Sequence, residues 1–113
     1  MRPEKLYLLD MIEAADAIVE FVAGLDEDDF YSDSLRQSAV LQKLIVIGEA
    51  ATRLPQEFRD RHPQLEWGQI VAFRNVLVHA YFSIKLPIVW ETINHDVPAL
   101  RRQVAQILEQ EYE

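Results

Sequence analysis

Apolar side chains recur at three- and four-residue spacing through most of the chain, the repeat of helices that bury one face. Residues 4 to 24 place Leu8, Met11 or Ile12, Ala15, Ile18 or Val19, and Val22 on one side. This predicts a first helix of about six turns, with Gly24 where a C-terminal cap belongs. From Ser34, with Gln37 three residues on as in a capping box, a second helix reads through Val40, Leu44, Ile47, Ala51 and Leu54 and stops at Pro55. Within it Gly48 is a poor helix former, by roughly 1 kcal/mol, so its presence predicts the close approach of another backbone. Glu49 follows on an apolar stretch, where it either pairs inside the bundle or orients a site residue.

Pro55 and Pro63 bracket a burst of charge, predicting a short helical turn over Gln56 to Arg61 and then a loop. A third helix starts near Glu66 or Trp67. The segment from Phe82 to Pro87 breaks its pattern. A fourth helix then runs from about Leu86 or Pro87 to the C-terminus, kinked or restarted at Pro98, with Trp90, Ile93, Val97, Leu100, Val104, Ile107 and Leu108 on its buried face. The Val and Ile runs do not alternate and no hairpin dipeptide occurs, so no strand is expected. The expected fold is all-α: one domain of 113 residues, an antiparallel four-helix bundle with short extra helical turns.

Composition narrows the function. The chain has no cysteine, which excludes disulfides, thiolate metal sites and cysteine nucleophiles. Its start, Met1 to Lys5, runs into a segment carrying Asp10, Glu13 and Asp16, unlike a signal peptide or a membrane span; a cytoplasmic location is the expectation. A formal net charge of -8 argues against a general nucleic-acid coat, so any such role must rest on a local basic patch, for which Arg53, Arg59, Arg61, His62 and Arg74 are candidates. The run Asp26-Glu27-Asp28-Asp29 reads as a solvated acidic turn capping a short helical piece that ends near Tyr31. Four contiguous carboxylates on one short segment do not converge on a metal ion by themselves.

The third helix carries the chemistry. Arg74-Asn75-Val76-Leu77-Val78-His79-Ala80-Tyr81 threads a guanidinium, an amide, an imidazole and a phenol through an apolar run. A single such group is usually structural, but four together need either mutual hydrogen bonds or a site to satisfy them. At about 100° per residue, Trp67, Ile70, Arg74, Leu77 and Tyr81 fall on one stripe, and Asn75 and His79 on an adjacent one. Arg74 and His79 then diverge by roughly 140° on a regular helix. Two copies of the helix meeting across a two-fold axis would bring both groups into one cleft, so a dimeric site is expected. Arg, His and an amide suit RNA phosphodiester cleavage: His moves the proton of the 2'-hydroxyl or of the leaving oxygen, Arg stabilises charge on the phosphoryl oxygens, and Asn holds His or phosphate. The products would be a 2',3'-cyclic phosphate and a 5'-hydroxyl, with neither metal nor cofactor required.

The spacing Arg74-Asn75, three residues, His79-Ala80-Tyr81 resembles the Arg, four residues, His, any, Tyr motif of the HEPN superfamily. With Gly48-Glu49-Ala50-Ala51, Trp67, Trp90 and Val97-Pro98-Ala99-Leu100, the whole chain resembles the HepT-like toxin subunits of MNT/HEPN toxin–antitoxin pairs. The resemblance implies a helical HEPN fold, a homodimer with its site at the interface, and metal-independent cleavage of tRNA or mRNA in a type VII-like pair. Arg74 and His79 match the catalytic pair and Asn75 the polar residue that follows the Arg. Tyr81 matches the tyrosine that a minimal nucleotidyltransferase antitoxin, MntA-like, modifies with AMP. The alternatives are a noncatalytic helical dimer that binds a nucleotidyltransferase, and a dimer in which Arg74 and His79 only bond across the interface.

Overall fold

The computed structural model describes residues 3–112, and among these every regular element is helical. Met1, Arg2 and Glu113, at the two ends of the expected first and last helices, lie outside the described residues. Four long helices form the body: α1 (Glu4–Phe21), α3 (Ser34–Arg53), α5 (Trp67–Ala80) and α7 (Val97–Tyr112). Short helices α2 (Glu27–Tyr31), α4 (Gln56–Arg61) and α6 (Leu86–Glu91) fill the corners. The neighbours run α7, α1, α3, α5, so α3 lies between α1 and the helix that carries the motif.

The core follows the apolar repeat. Leu8, Met11, Ala15 and Ile18 of α1 meet Val40, Leu44, Ile47 and Ala51 of α3, with Leu100, Val104 and Ile107 of α7 closing one side. Phe30 and Phe58, both fully buried, make α2 and α4 parts of the core rather than loops. Phe30 packs on the Trp90 ring at 5.4 Å between centroids, tying α2 to α6.

Two boundaries differ from the sequence reading. The first helix ends at Phe21, and the next residues form a turn in which Val22 N–H bonds to Ile18 O and Leu25 N–H to Val22 O. Gly24, at φ +78°, makes this turn, a conformation glycine adopts without a Cβ penalty. Secondly, α3 is capped by Asp33, not Ser34: the Asp33 carboxylate accepts the Arg36 backbone N–H at 3.0 Å and its side chain at 2.7 Å. These bonds hold the Asp33 carboxyl below the usual range. Gln37, partly buried, instead donates to the carbonyls of Phe30 and Tyr31 at the end of α2, while Arg36 Nε donates to Phe21 O at the end of α1. The expected capping box occurs one element earlier, between Asp26 and Asp29, and thereby absorbs the acidic run.

At Pro98 the expected restart is present, since α7 begins directly after Asp96. The last helix passes through a π-helical turn over Thr92–Asp96 before α7 begins, with Val97 N–H bonded to Thr92 O. Proline lacks the N–H that would continue an α-helix, and its ring crowds the carbonyl four residues back; the wider turn accommodates both. Thr92 Oγ1 donates to Ile88 O at 2.9 Å and Asn94 Nδ2 to Trp90 O at 2.8 Å, so side chains reach the backbone carbonyls one turn back. Among the described residues no helix is long and apolar enough to cross a membrane.

Candidate active site

Trp67 starts α5. Its indole N–H donates to His62 O at 2.8 Å and its ring meets Phe58 edge-on, which fixes the helix against α4. Seven residues on, α5 crosses α3 at Gly48. A Cβ built on Gly48 would lie 2.2 Å from Arg74 Cβ and 2.6 Å from its Cγ, so the two helices approach this closely only because position 48 has no side chain. The approach expected from the sequence is therefore present, and its counterpart is Arg74 itself.

Glu49, one residue further, takes the Arg74 side chain. Arg74 Nε and Nη2 both lie on Glu49 Oε1, and Arg74 Nη1 donates to Asn75 Oδ1 at 2.7 Å. The pair is half-buried, with side-chain exposures of 24% for Arg74 and 37% for Glu49. Of the two readings of Glu49, the pair inside the bundle is present, and its partner is the Arg74 guanidinium. A paired, partly desolvated guanidinium is held in one direction, which is what recognition of a phosphoryl oxygen requires.

His79 is placed differently. It is exposed on the last turn of α5 and makes no hydrogen bond or ion pair with another described residue. Because α5 is regular from Trp67 to His79, Arg74 and His79 leave it in directions roughly 140° apart. Within one chain Arg74, Asn75 and Glu49 are brought together; His79 is not bonded to them.

Two expectations are corrected. Tyr81 does not continue the stripe of Arg74: the backbone leaves helical geometry at Ala80 (φ -150°, ψ 41°), and Tyr81–Ser83 form a separate 3-10 turn on which Tyr81 is 63% exposed. Of the basic candidates Arg53, Arg59, Arg61, His62 and Arg74, three are not free, while Arg53 and Arg59 have no carboxylate partner among the described residues. Arg61 Nη2 lies 3.2 Å from Glu111 Oε1, buried His62 meets the other oxygen of Glu111, and Arg74 is held by Glu49. Glu111 is fifty residues from Arg61, and no local pattern marks it as a partner.

The rest of α5 is apolar yet open. Of its fourteen residues only Trp67 and Leu77 are buried, while Val76 and Val78 are each 42% exposed. Val76, Phe73 and Ile70 line one wall of a groove of about 640 Å³, and Ile88, Val97 and Leu100 line the opposite side. Among the described residues no three His, Asp or Glu side chains are close enough together to hold a metal ion.

Comparison with known proteins bears on the family of the chain. The family described as ribonuclease HepT-like matches residues 11–107. Over 111 residues the chain is 36% identical to a protein of Caldanaerobacter subterraneus subsp. tengcongensis provisionally named an RNase, covering 98% of this chain and 99% of that one. It is 37% identical over 100 residues to the probable ribonuclease HepT of Thermococcus cleftensis, covering 88% and 91%. A Methanocaldococcus jannaschii protein, named a gamma-glutamylcyclotransferase and provisionally an RNase, is 33% identical over 106 residues; these cover 94% of this chain and 48% of that longer protein. No solved structure matches the chain. Motif, helical architecture and relatives agree, and the chain belongs to the HepT-like ribonuclease family.

Proposed function

We propose that this chain is a metal-independent endoribonuclease acting as a homodimer, the toxin of a type VII-like toxin–antitoxin pair. The observation that carries the reading is the division of labour on α5. Arg74 is anchored and aimed by Glu49 and Asn75, whereas His79 stands exposed and unbonded one stripe away. A second copy packed on the apolar side of α5 that carries Val76 removes Val76 and Ile88 from water, at about 25 cal/mol per Å² of apolar surface, and sets the two motifs around a shared cleft.

In that cleft His79 accepts the proton of the ribose 2'-hydroxyl. The 2'-oxygen attacks phosphorus, the bond to the 5'-oxygen breaks, and that oxygen takes a proton from an imidazole, the second subunit's His79 being the natural donor. Arg74 stabilises the charge gathering on the non-bridging oxygens, and Asn75 holds the guanidinium or the phosphate. Tyr81, exposed beside His79, is the acceptor for AMP from a minimal nucleotidyltransferase, MntA-like. The bulk and negative charge of AMP there would exclude RNA.

The test is cleavage of RNA by purified protein in EDTA, with sedimentation at twice the monomer mass. His79→Ala is expected to lose cleavage by at least about 100-fold while its helical circular dichroism is unchanged. Cleavage that depends on added divalent metal, or that survives in the variant, overturns the reading. The second reading, a noncatalytic dimer holding a nucleotidyltransferase, is favoured by the net charge of -8 and by the carboxylate already on Arg74. It requires that unmodified protein cut no RNA while Tyr81 still gains the mass of AMP from partner and ATP.

A further inference from the structure

The turn after α5 displays two aromatic rings outside the core. Tyr81 is 63% exposed and Phe82 83%, and they touch only edge-on, with centroids 5.8 Å apart. The turn that carries them is fixed: Ser83 Oγ donates to Ala80 O at 2.7 Å, and Ile84 N–H to Tyr81 O at 3.1 Å. Phe82 follows His79 by three residues, so their Cα atoms lie within roughly 11 Å. Three residues beyond Phe82, Lys85 is exposed and has no carboxylate partner among the described residues.

The setting of Phe82 distinguishes between occupants. A ring that anchors a protein partner sits within a broader apolar patch that excludes water. Within three residues of Phe82 the exposed side chains other than Tyr81 are His79, Ser83 and Lys85, all polar; the exposed apolar Val78 and Ile88 lie outside that span. An exposed pair of rings among polar neighbours with a cation near it is instead the pattern that binds single-stranded nucleic acid, one base stacking on a ring face and one phosphate meeting the cation. In a duplex the faces of the bases are already stacked and out of reach.

We propose that Phe82 is a base-stacking platform beside the cleavage site, taking an unpaired nucleobase of single-stranded RNA while Lys85 meets a neighbouring phosphate. This rests on the ribonuclease reading and names the form of RNA that the site accepts. Stacking acts on association, so its loss appears in KM and leaves the chemistry of Arg74 and His79 in place.

The experiment is steady-state cleavage of one single-stranded oligoribonucleotide, and of the same sequence in a duplex, by wild-type protein, Phe82→Leu and Phe82→Trp. Leu keeps apolar bulk and removes the π face; Trp keeps the face. Phe82→Leu is expected to raise KM for the single strand by about 10-fold or more, with kcat held within roughly 2-fold. Phe82→Trp should keep a near wild-type KM, and the duplex should be cut poorly by all three. An unchanged KM in Phe82→Leu overturns the platform while leaving the ribonuclease standing. A joint loss of kcat and of dimer mass overturns it too, because the ring is then a subunit contact. Binding is read separately in Phe82→Trp combined with His79→Ala, where the single strand should quench the added indole; absence of quenching overturns stacking whether or not any RNA is cut. If wild-type protein cuts no RNA but quenching is seen, the cleavage reading alone has failed.

Discussion

At Gly48 one hydrogen atom in place of a methyl group decides where Arg74 sits. Gly48→Ala gains roughly 1 kcal/mol in helix propensity. It also places a methyl 2.2 Å from Arg74 Cβ and 3.4 Å from its Cα, against the stem of the side chain rather than its flexible end. Overpacking of that kind costs about 1 to 3 kcal/mol, so it outweighs the propensity gain. The expected outcome is a lower melting temperature together with lost RNA cleavage, because α3 and α5 must part and Glu49 no longer reaches the guanidinium. A more stable variant with full activity would show that the contact is not tight. This contact was legible in the sequence, since a glycine that weakens an apolar helix and stands beside a carboxylate marks a point where another helix comes close and brings a polar group with it. The cap of α3 was not: Asp33 and Ser34 are both good capping residues, and only the backbone chooses between them. The phase of Tyr81 escaped for a similar reason, because the break at Ala80 has no marker in residue type.

Among the elements, the last helix shows most plainly how a pattern records more than it is asked. Its buried positions Val89, Ile93 and Val97 are spaced four and four, then Leu100, Val104 and Ile107 follow at three, four and three. Two successive fours exceed two turns of α-helix by nearly one residue, which is the excess the π-helical turn at Thr92–Asp96 takes up. The sequence therefore located Pro98 as a disturbance but left its form, a kink or a restart, unresolved. Pro98→Ala restores a backbone donor and removes the ring from the carbonyl at Asn94. With a helix-interior proline costing up to about 3 kcal/mol, the variant should melt several degrees higher and slow amide exchange across Thr92–Asp96. An unchanged melting temperature would mean that the widened turn already relieves the proline completely. The first three long helices were read with boundaries good to a few residues because their periodicity is local; the fourth, read as one helix from Leu86 or Pro87, is α6, the π-helical turn and α7 in succession. The pairing of Arg61 and His62 with Glu111 was not readable, because it joins segments that only the folded chain brings together.

The molecule as a whole is a strongly acidic body whose motif helix leans on one neighbour, α3, and opens an apolar groove on its other side. Two features of the proposed chemistry are set at this scale: the cleft needs a second subunit, and the substrate is a polyanion. Arg61, His62 and Arg74, which could have offered a basic landing surface, each face a carboxylate of the same chain. Proteins that bind nucleic acid through free cations lose affinity steadily as salt is added. This one should behave otherwise at low ionic strength. At about 10 mM salt its net charge of -8 repels RNA across a Debye length near 30 Å, which shrinks to about 10 Å at 100 mM. Cleavage measured as kcat/KM should therefore climb with added potassium chloride before it declines. A monotonic fall from the lowest concentration would reveal a cationic approach route elsewhere on the dimer. With Arg61 and Arg74 matched internally and a net charge of -8 around them, the protein depends on counterions in the medium to let its target draw near.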